Sequence, residues 1–245
     1  MPLFLPSLID APALGARPFV TWYGADGERI ELSATVTANW VAKTTNLLVE
    51  EFDAEPGTLV HLDLPPHWRT AVWLLATWRV GAGVVLDASA PADVVVTDRP
   101  GEVTAGQVRE VDLSGRPEIV AQVLPSLARS FDGELPPGAM DAARAVGSYA
   151  DVIGYVPPAD DDAPALVVED ATTPHSGLGA WAADLPGSAR LAVPVASRGA
   201  DGIADLGRLV LGALRASSSL VLLPEHHGDV ARILATEHAR PYPSP

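Results

Sequence analysis

The sequence predicts an α/β fold of partly parallel sheets flanked by helices. Residues 59–86 read as strand, turn, amphipathic helix, Gly-rich turn and strand. That order implies a parallel strand pair joined by a right-handed crossover. Strand-length apolar runs and helical stripes keep alternating through the rest of the chain, the pattern of α/β architectures. Hydrophobic residues make up 48% of the 245 positions and mean hydropathy is +0.19, so a substantial core can form.

Residues 18–23 and 28–32 flank Gly24-Ala25-Asp26-Gly27. Asp-Gly between apolar runs signals a β-hairpin. Ser33 stands where an N-cap belongs, and Val36, Trp40, Val41, Leu47 and Leu48 recur near helical spacing, giving a helix over 34–51. Pro56-Gly57 leads into a strand over 59–64. Pro65-Pro66 opens a helix over 67–80, whose apolar residues cover much of its circumference and predict burial. Trp68, Trp73 and Trp78 lie five apart and so do not share one face; they read as core or interface residues. Gly81 and Gly83 close the helix before a strand over 84–86.

Residues 92–98 form the next strand. Only about five residues precede it, too few for a helical crossover between parallel neighbours, so either the two strands are not adjacent or a helix has been lost. A strand over 108–113, a helix over 117–130 and a short helix over 139–150 follow. The loop 155–163 carries Pro157-Pro158 and Asp160-Asp161-Asp162. It is the expected link between a first subdomain (1–157) and a smaller second one (164–245) within one compact unit. Beyond it the pattern gives a strand over 165–168, a polar loop over 171–179 and a strand over 190–194. A helix over 204–216, a strand over 219–223 and a helix over 229–238 complete it.

The formal net charge is −15 and the pI about 4.6. With no basic cluster to offset it, such a chain repels phosphate backbones and anionic lipid surfaces, so neither nucleic acid nor membrane is an expected partner. There is no cysteine, which excludes disulfides, thiolate metal sites and thiol catalysis and fits a cytoplasmic location. The N-terminus lacks a basic n-region and carries Pro2, Pro6 and Asp10, so it does not read as a signal peptide. No apolar run approaches the ~20 residues of a membrane span.

Several segments resemble the N-terminal part of the AMP-binding, adenylate-forming superfamily, which includes acyl-CoA synthetases and peptide-synthetase adenylation domains. They are Glu31-Leu32-Ser33, Leu64-Pro65 with His67-Trp68, Gly81-Ala82 with Val84-Val85, the run from Asp162 to Val168, and the later pair Leu209–Leu214 and Ser219–Pro224. The likeness is spread over most of the chain, and within it the chain is most similar to a short actinobacterial family with a truncated, degenerate AMP-binding domain. The resemblance implies the fold of the superfamily's N-terminal subdomains.

It also implies a Ser/Thr/Gly-rich phosphate loop ending in Pro-Lys-Gly, which would bind ATP or AMP. At that place the chain has Ala171-Thr172-Thr173-Pro174-His175-Ser176-Gly177-Leu178-Gly179, preceded by Glu169 and Asp170 and followed by no lysine. Thr172, Thr173, Ser176, Gly177 and Gly179 are therefore the candidate ligand-binding residues, as remnants of a phosphate loop or as a drifted connection. The superfamily's aromatic-Gly-x-Thr-Glu motif, its ribose-binding Asp and its C-terminal catalytic Lys are not found in these 245 residues, so no catalytic residue is assigned.

His226-His227 with Glu225 and Asp229 lack metal-ligand spacing, and no metal site is expected. Ser176 beside His175 lacks the G-x-S-x-G elbow of a serine nucleophile. The expected role is a non-catalytic binding or interaction module with no obligatory cofactor. A residual nucleotide, CoA or acyl-ligand site, or unrelated chemistry on the same fold, are the alternatives. A partial copy of a larger fold exposes apolar surface, so a homodimer or an unidentified protein partner is expected.

Overall fold

The expected hairpin is β1 (Pro18–Tyr23) and β2 (Arg29–Ser33), antiparallel with Thr21 opposite Glu31. The computed structural model describes residues 9–10, 13–24, 27–87, 90, 92–103, 118–169, 171–196, 198–224 and 229–242. Ser33 Oγ accepts the Val36 N–H and opens α1 (Ala34–Phe52), which ends at Asp53 in the left-handed region. β3 (Leu59–Asp63) leads into α2 (Trp68–Val80) and on to β4 (Gly83–Val85). β3 and β4 pair in parallel, as the strand–helix–strand pattern requires. Gly81, at φ 90°, makes the left-handed stop between helix and strand.

β5 (Val94–Thr97) resolves the short connection. It pairs in parallel with the other edge of β3, so β4 and β5 are not adjacent and no crossover joins them directly. β6 (Glu118–Ala121) and β7 (Met140–Asp141) extend the sheet beyond β5. α3 (Ala142–Ser148), β8 (Pro164–Val168), β9 (Ala171–Pro174), the helical turn α4 (Leu178–Trp181) and β10 (Arg190–Val195) follow. α5 (Ala200–Ala216), β11 (Ser219–Pro224), α6 (Val230–Glu237) and β12 (Arg240–Pro241) complete the chain order.

Two sheets result. One has the order β12-β10-β11-β1-β2, the other β7-β6-β5-β3-β4-β8-β9. Among the described residues only the β1–β2 and β8–β9 pairs are antiparallel. Both sheets draw strands from either side of residues 155–163: β1 and β2 join β10–β12, while β8 and β9 continue the sheet of β3–β7. The main apolar cluster contains Phe19, Val20, Leu220 and Leu222 of the first sheet, Val60, Leu62, Val84 and Val94 of the second, and buried residues of α1, α2 and α5.

Twelve of the thirteen residues of α2 are buried, which explains its three tryptophans. Helical spacing sends them in different directions, and each meets protein. Trp73 Nε1 donates to Gln122 Oε1 at 2.8 Å, Trp78 Nε1 to the Ala165 carbonyl at 2.8 Å and Trp68 Nε1 to Ser126 Oγ at 3.3 Å.

Two expectations are corrected. The helix over 117–130 is instead β6 followed by turns. Ile119 and Val120 are β-branched and favour a strand beside β5, and Pro125 removes an N–H in the middle of the expected helix. Leu127, expected on its apolar face, is 91% exposed. The expected loop over 171–179 is strand β9, a 3-10 turn (His175–Gly177) and α4, because the antiparallel partner β8 captures its first half. The strand expected over 108–113 lies outside the described residues.

Candidate functional site

The five candidate ligand residues do not converge. Thr172 is exposed and pairs with Val167; Thr173 pairs with Leu166. Ser176 is exposed, and its N–H donates to the Asp161 carbonyl at 2.9 Å. Gly177 packs on Thr173 and Pro174, where a Cβ would meet Thr173 Cγ2 at 3.0 Å. Gly179 is buried in α4, and its carbonyl accepts from Arg215 Nη1 at 2.8 Å. Val168 opposes Ala171, so residues 169 and 170 alone connect the paired strands, with Glu169 at φ 51°. His175 places Nε2 3.2 Å from the Ala82 carbonyl, and burial lowers its pKa. No described hydrogen bond joins it to Ser176.

The charged site of the fold lies at the carboxyl ends of the parallel strands. β3 runs into Asp63, β4 into Asp87, β5 into Asp98 and β8 into Glu169. β3 proceeds through α2 to β4 on one side, whereas β5 leads to β6 on the other. The gap between β3 and β5 is therefore a topological switch point, where open α/β sheets bind ligands.

Here that gap holds protein. Arg198, from the β10–α5 connection, donates to the Asp63 carbonyl at 2.9 Å, to Asp63 Oδ1 at 3.0 Å and to Asp98 Oδ1. Thr97 Oγ1 donates to Asp63 Oδ2 at 2.7 Å, and Arg99 Nη2 to Asp63 Oδ1 at 2.9 Å. The network ties the two sheets together and matches the charge of Arg198 against two carboxylates.

A cavity of about 430 Å³ is lined by Leu86, Asp87, Val168, Glu169, Arg198 and the start of α5 at Gly199–Gly202. A second, of about 500 Å³, shares Val168 and Asp201 with it and adds Leu166, Ala171, Thr173, Trp181, Asp205 and Arg208. Together they form a groove between the β8–β9 hairpin and α5. Thr173 is the one candidate residue that lines it. Sequence reasoning named Glu169 only as a residue preceding the expected loop and missed Asp87, Asp201 and Asp205; the acid at or just past the end of each of β3, β4, β5 and β8 was the available signal for Asp87. Glu225, His226 and His227 lie outside the described residues, and among the described residues no three His, Asp or Glu side chains are placed to hold a metal.

A Mycobacterium tuberculosis protein described as a TIGR03089 family protein is 36% identical over 249 residues, with 96% of each chain covered. The chain belongs to the TIGR03089 family. No family model matches it. Among solved structures, a Brucella canis acyl-CoA synthetase superposes with a TM-score of 0.71 at 17% identity, over 98% of this chain and 46% of that one.

The N-terminal subdomain of Klebsiella oxytoca NpsA in complex with 3-hydroxybenzoyl-AMSN gives 0.67 at 12% identity, over 98% and 59%. A Mycobacterium tuberculosis fatty acyl CoA synthetase gives 0.64 at 13%, over 96% and 47%. The TIGR03089 chain therefore has the fold of the N-terminal part of adenylate-forming enzymes and spans about half the length of these structures. Among the described residues no helix is long and apolar enough to cross a membrane.

Proposed function

We propose that this protein is a non-catalytic relative of the adenylate-forming enzymes that acts as a binding module. The observation that carries the reading is the β8–β9 connection. Where the resemblance predicts a Gly-rich loop with a lysine to hold triphosphate, over 171–179, the chain has strand β9 paired antiparallel with β8, a 3-10 turn and α4, and the two residues before it are acidic. A phosphate cradle needs converging backbone amides and positive charge. The hairpin residues there pair strand to strand instead, Val167 with Thr172 and Val168 with Ala171, and the nearby cation Arg198 is engaged by Asp63 and Asp98. No obligatory ATP, AMP or CoA follows from such a site.

Thermal-shift titrations test this, since a ligand selective for the native state raises apparent stability. ATP, AMP, CoA and an acyl-adenylate analogue are each expected to leave the melting temperature unchanged at millimolar concentration. A saturable rise with any of them favours the second reading, a residual nucleotide or acyl site.

Surface exposure of Val152 (72%) and Tyr155 (64%) supports a protein partner or homodimer. Both lie on a stretch held by Asn46, whose Nδ2 donates to the Ala150 and Val152 carbonyls at 3.0 Å. Sedimentation at tens of micromolar is expected to show self-association or, from cell extract, a defined complex; a clean monomer refutes the homodimer.

A further inference from the structure

We infer that residues 229–242, α6 with β12, form a strap that opens as one unit from the first sheet while the rest of the fold stays closed. This opening is independent of the binding-module reading.

Side chains alternate between the two faces of a strand. In the first sheet Val20, Leu32, Leu191 and Leu220 belong to the main apolar cluster. The next residues in register, Glu31, Thr21, Val221 and Ala192, therefore face the other way. This second face is apolar toward β10 and β11 and charged toward β2, and α6 lies across both parts.

Each part holds the helix by one buried side chain. The buried residues of α6 are Ile233 and Glu237. Ile233 packs with Ala192, Val221 and Leu223 in a small cluster separate from the main one. Glu237 accepts from Tyr23 Oη of β1 at 2.6 Å, from Arg29 Nε of β2 at 2.8 Å and from Arg190 of β10. β12 adds a short parallel pairing, Arg240 beside Leu191 and Pro241 beside Ala192. Tyr242 follows with an N–H to the Ala192 carbonyl at 2.8 Å and a half-buried ring against the main cluster.

Segments with few buried apolar contacts open at lower free energy than core strands. β11, with Leu220, Val221 and Leu222 fully buried, is such a core strand. Glu237 alone ties α6 to three strands, so losing it leaves Ile233 as the one buried apolar anchor of the helix. The closed face balances two guanidiniums against Glu31 and Glu237. Opening removes Glu237 and leaves Arg29 and Arg190 to share Glu31, so the position of the strap sets the charge of this face.

Native-state hydrogen exchange on the full chain, read amide by amide in sub-denaturing urea, tests the inference. The amides of Ile233, His238, Ala239 and Tyr242 are expected to share one opening equilibrium. Their protection should be at least about tenfold below that of the β11 amides, with a shallower dependence on urea. Glu237→Gln is expected to speed exchange of the whole set by about tenfold or more, and Ile233→Ala to speed the same set together.

Strap amides with the protection and urea dependence of β11 overturn the inference, since the strap then opens only with the whole protein. Graded protection along α6 overturns it as well, because the helix then frays without acting as a unit. So does a Glu237→Gln variant in which α6 exchanges faster and Tyr242 does not. The wild-type series decides even if a variant fails to fold.

Discussion

Gly212 shows how closely α5 is set against its neighbours. A Cβ there would lie 2.4 Å from the Ala183 carbonyl oxygen and 3.1 Å from its carbon, backbone atoms that cannot rotate away. Gly212→Ala is expected to destabilise the fold by about 1–3 kcal/mol, read as a lower urea midpoint. Gly147, in α3, has open space around its Cβ position, so Gly147→Ala is expected to stabilise by about 0.5–1 kcal/mol. The sequence displays both as helical glycines and does not separate them, because the difference lies in a contact with a segment about thirty residues away.

The same limit hid Arg198. Asp63 and Asp98 could be read as acids ending apolar strands, but their cation lies 135 and 100 residues further on. Conversely, Thr172 to Gly179 read in the sequence as one polar loop, while their separation onto a strand, a turn and a helix depends on pairing with β8.

At the scale of elements, the N-cap of α2 predicts a pH response. His67 Nδ1 accepts the Arg69 N–H at 3.1 Å, a role only the neutral ring can fill, and the ring packs edge-on to Trp22 at 4.8 Å. Burial, with the neighbouring Arg69 charge, lowers its pKa to about 3. The unfolded chain takes up this proton near its ordinary value of 6.5, whereas the folded chain resists it until about 3. Stability is therefore full above 6.5 and falls as pH drops through that window. Burial lowers His61 and His175 in the same direction. His67→Asn keeps an N-cap acceptor and is expected to flatten the slope of denaturation midpoint against pH.

α6 responds in a lower window. Glu237 accepts from Tyr23 Oη at 2.6 Å, from Arg29 Nε at 2.8 Å and from Arg190. Burial alone would raise its pKa, but these bonds prevail and hold it at about 2, against an ordinary 4.5. The stability it supplies is complete above about 4.5 and is lost as pH falls toward 2. Glu237→Gln is expected to reduce stability by about 2 kcal/mol at neutral pH and to remove this acid step from the unfolding profile.

Helices whose caps are written locally, such as α1 from Ser33 and α2 from the Pro65-Pro66 opening, were readable in the sequence. β6 was not, since its apolar spacing suits helix and strand alike and the open edge of β5 decides between them.

At the scale of the molecule, strands from the first and last thirds of the chain meet in one sheet, β1 beside β11, and α2 is enclosed between both sheets. This scaffold brings the carboxyl ends of β3, β4, β5 and β8 to one rim. The rim is acidic, the switch point is filled by Arg198 and its partners, and the β8–β9 hairpin carries Glu169. The strand–helix–strand unit at 59–86 was enough to read the scaffold, whereas the character of the rim emerges only once distant loops are assembled on it.

The central claim, that this rim does not support adenylation, is tested most directly by ATP–pyrophosphate exchange. The purified chain is assayed with magnesium and a panel of aliphatic, aromatic and amino acids. Exchange indistinguishable from the protein-free blank is the predicted result. Acid-dependent incorporation of labelled pyrophosphate into ATP, proportional to the amount of chain added, would contradict it.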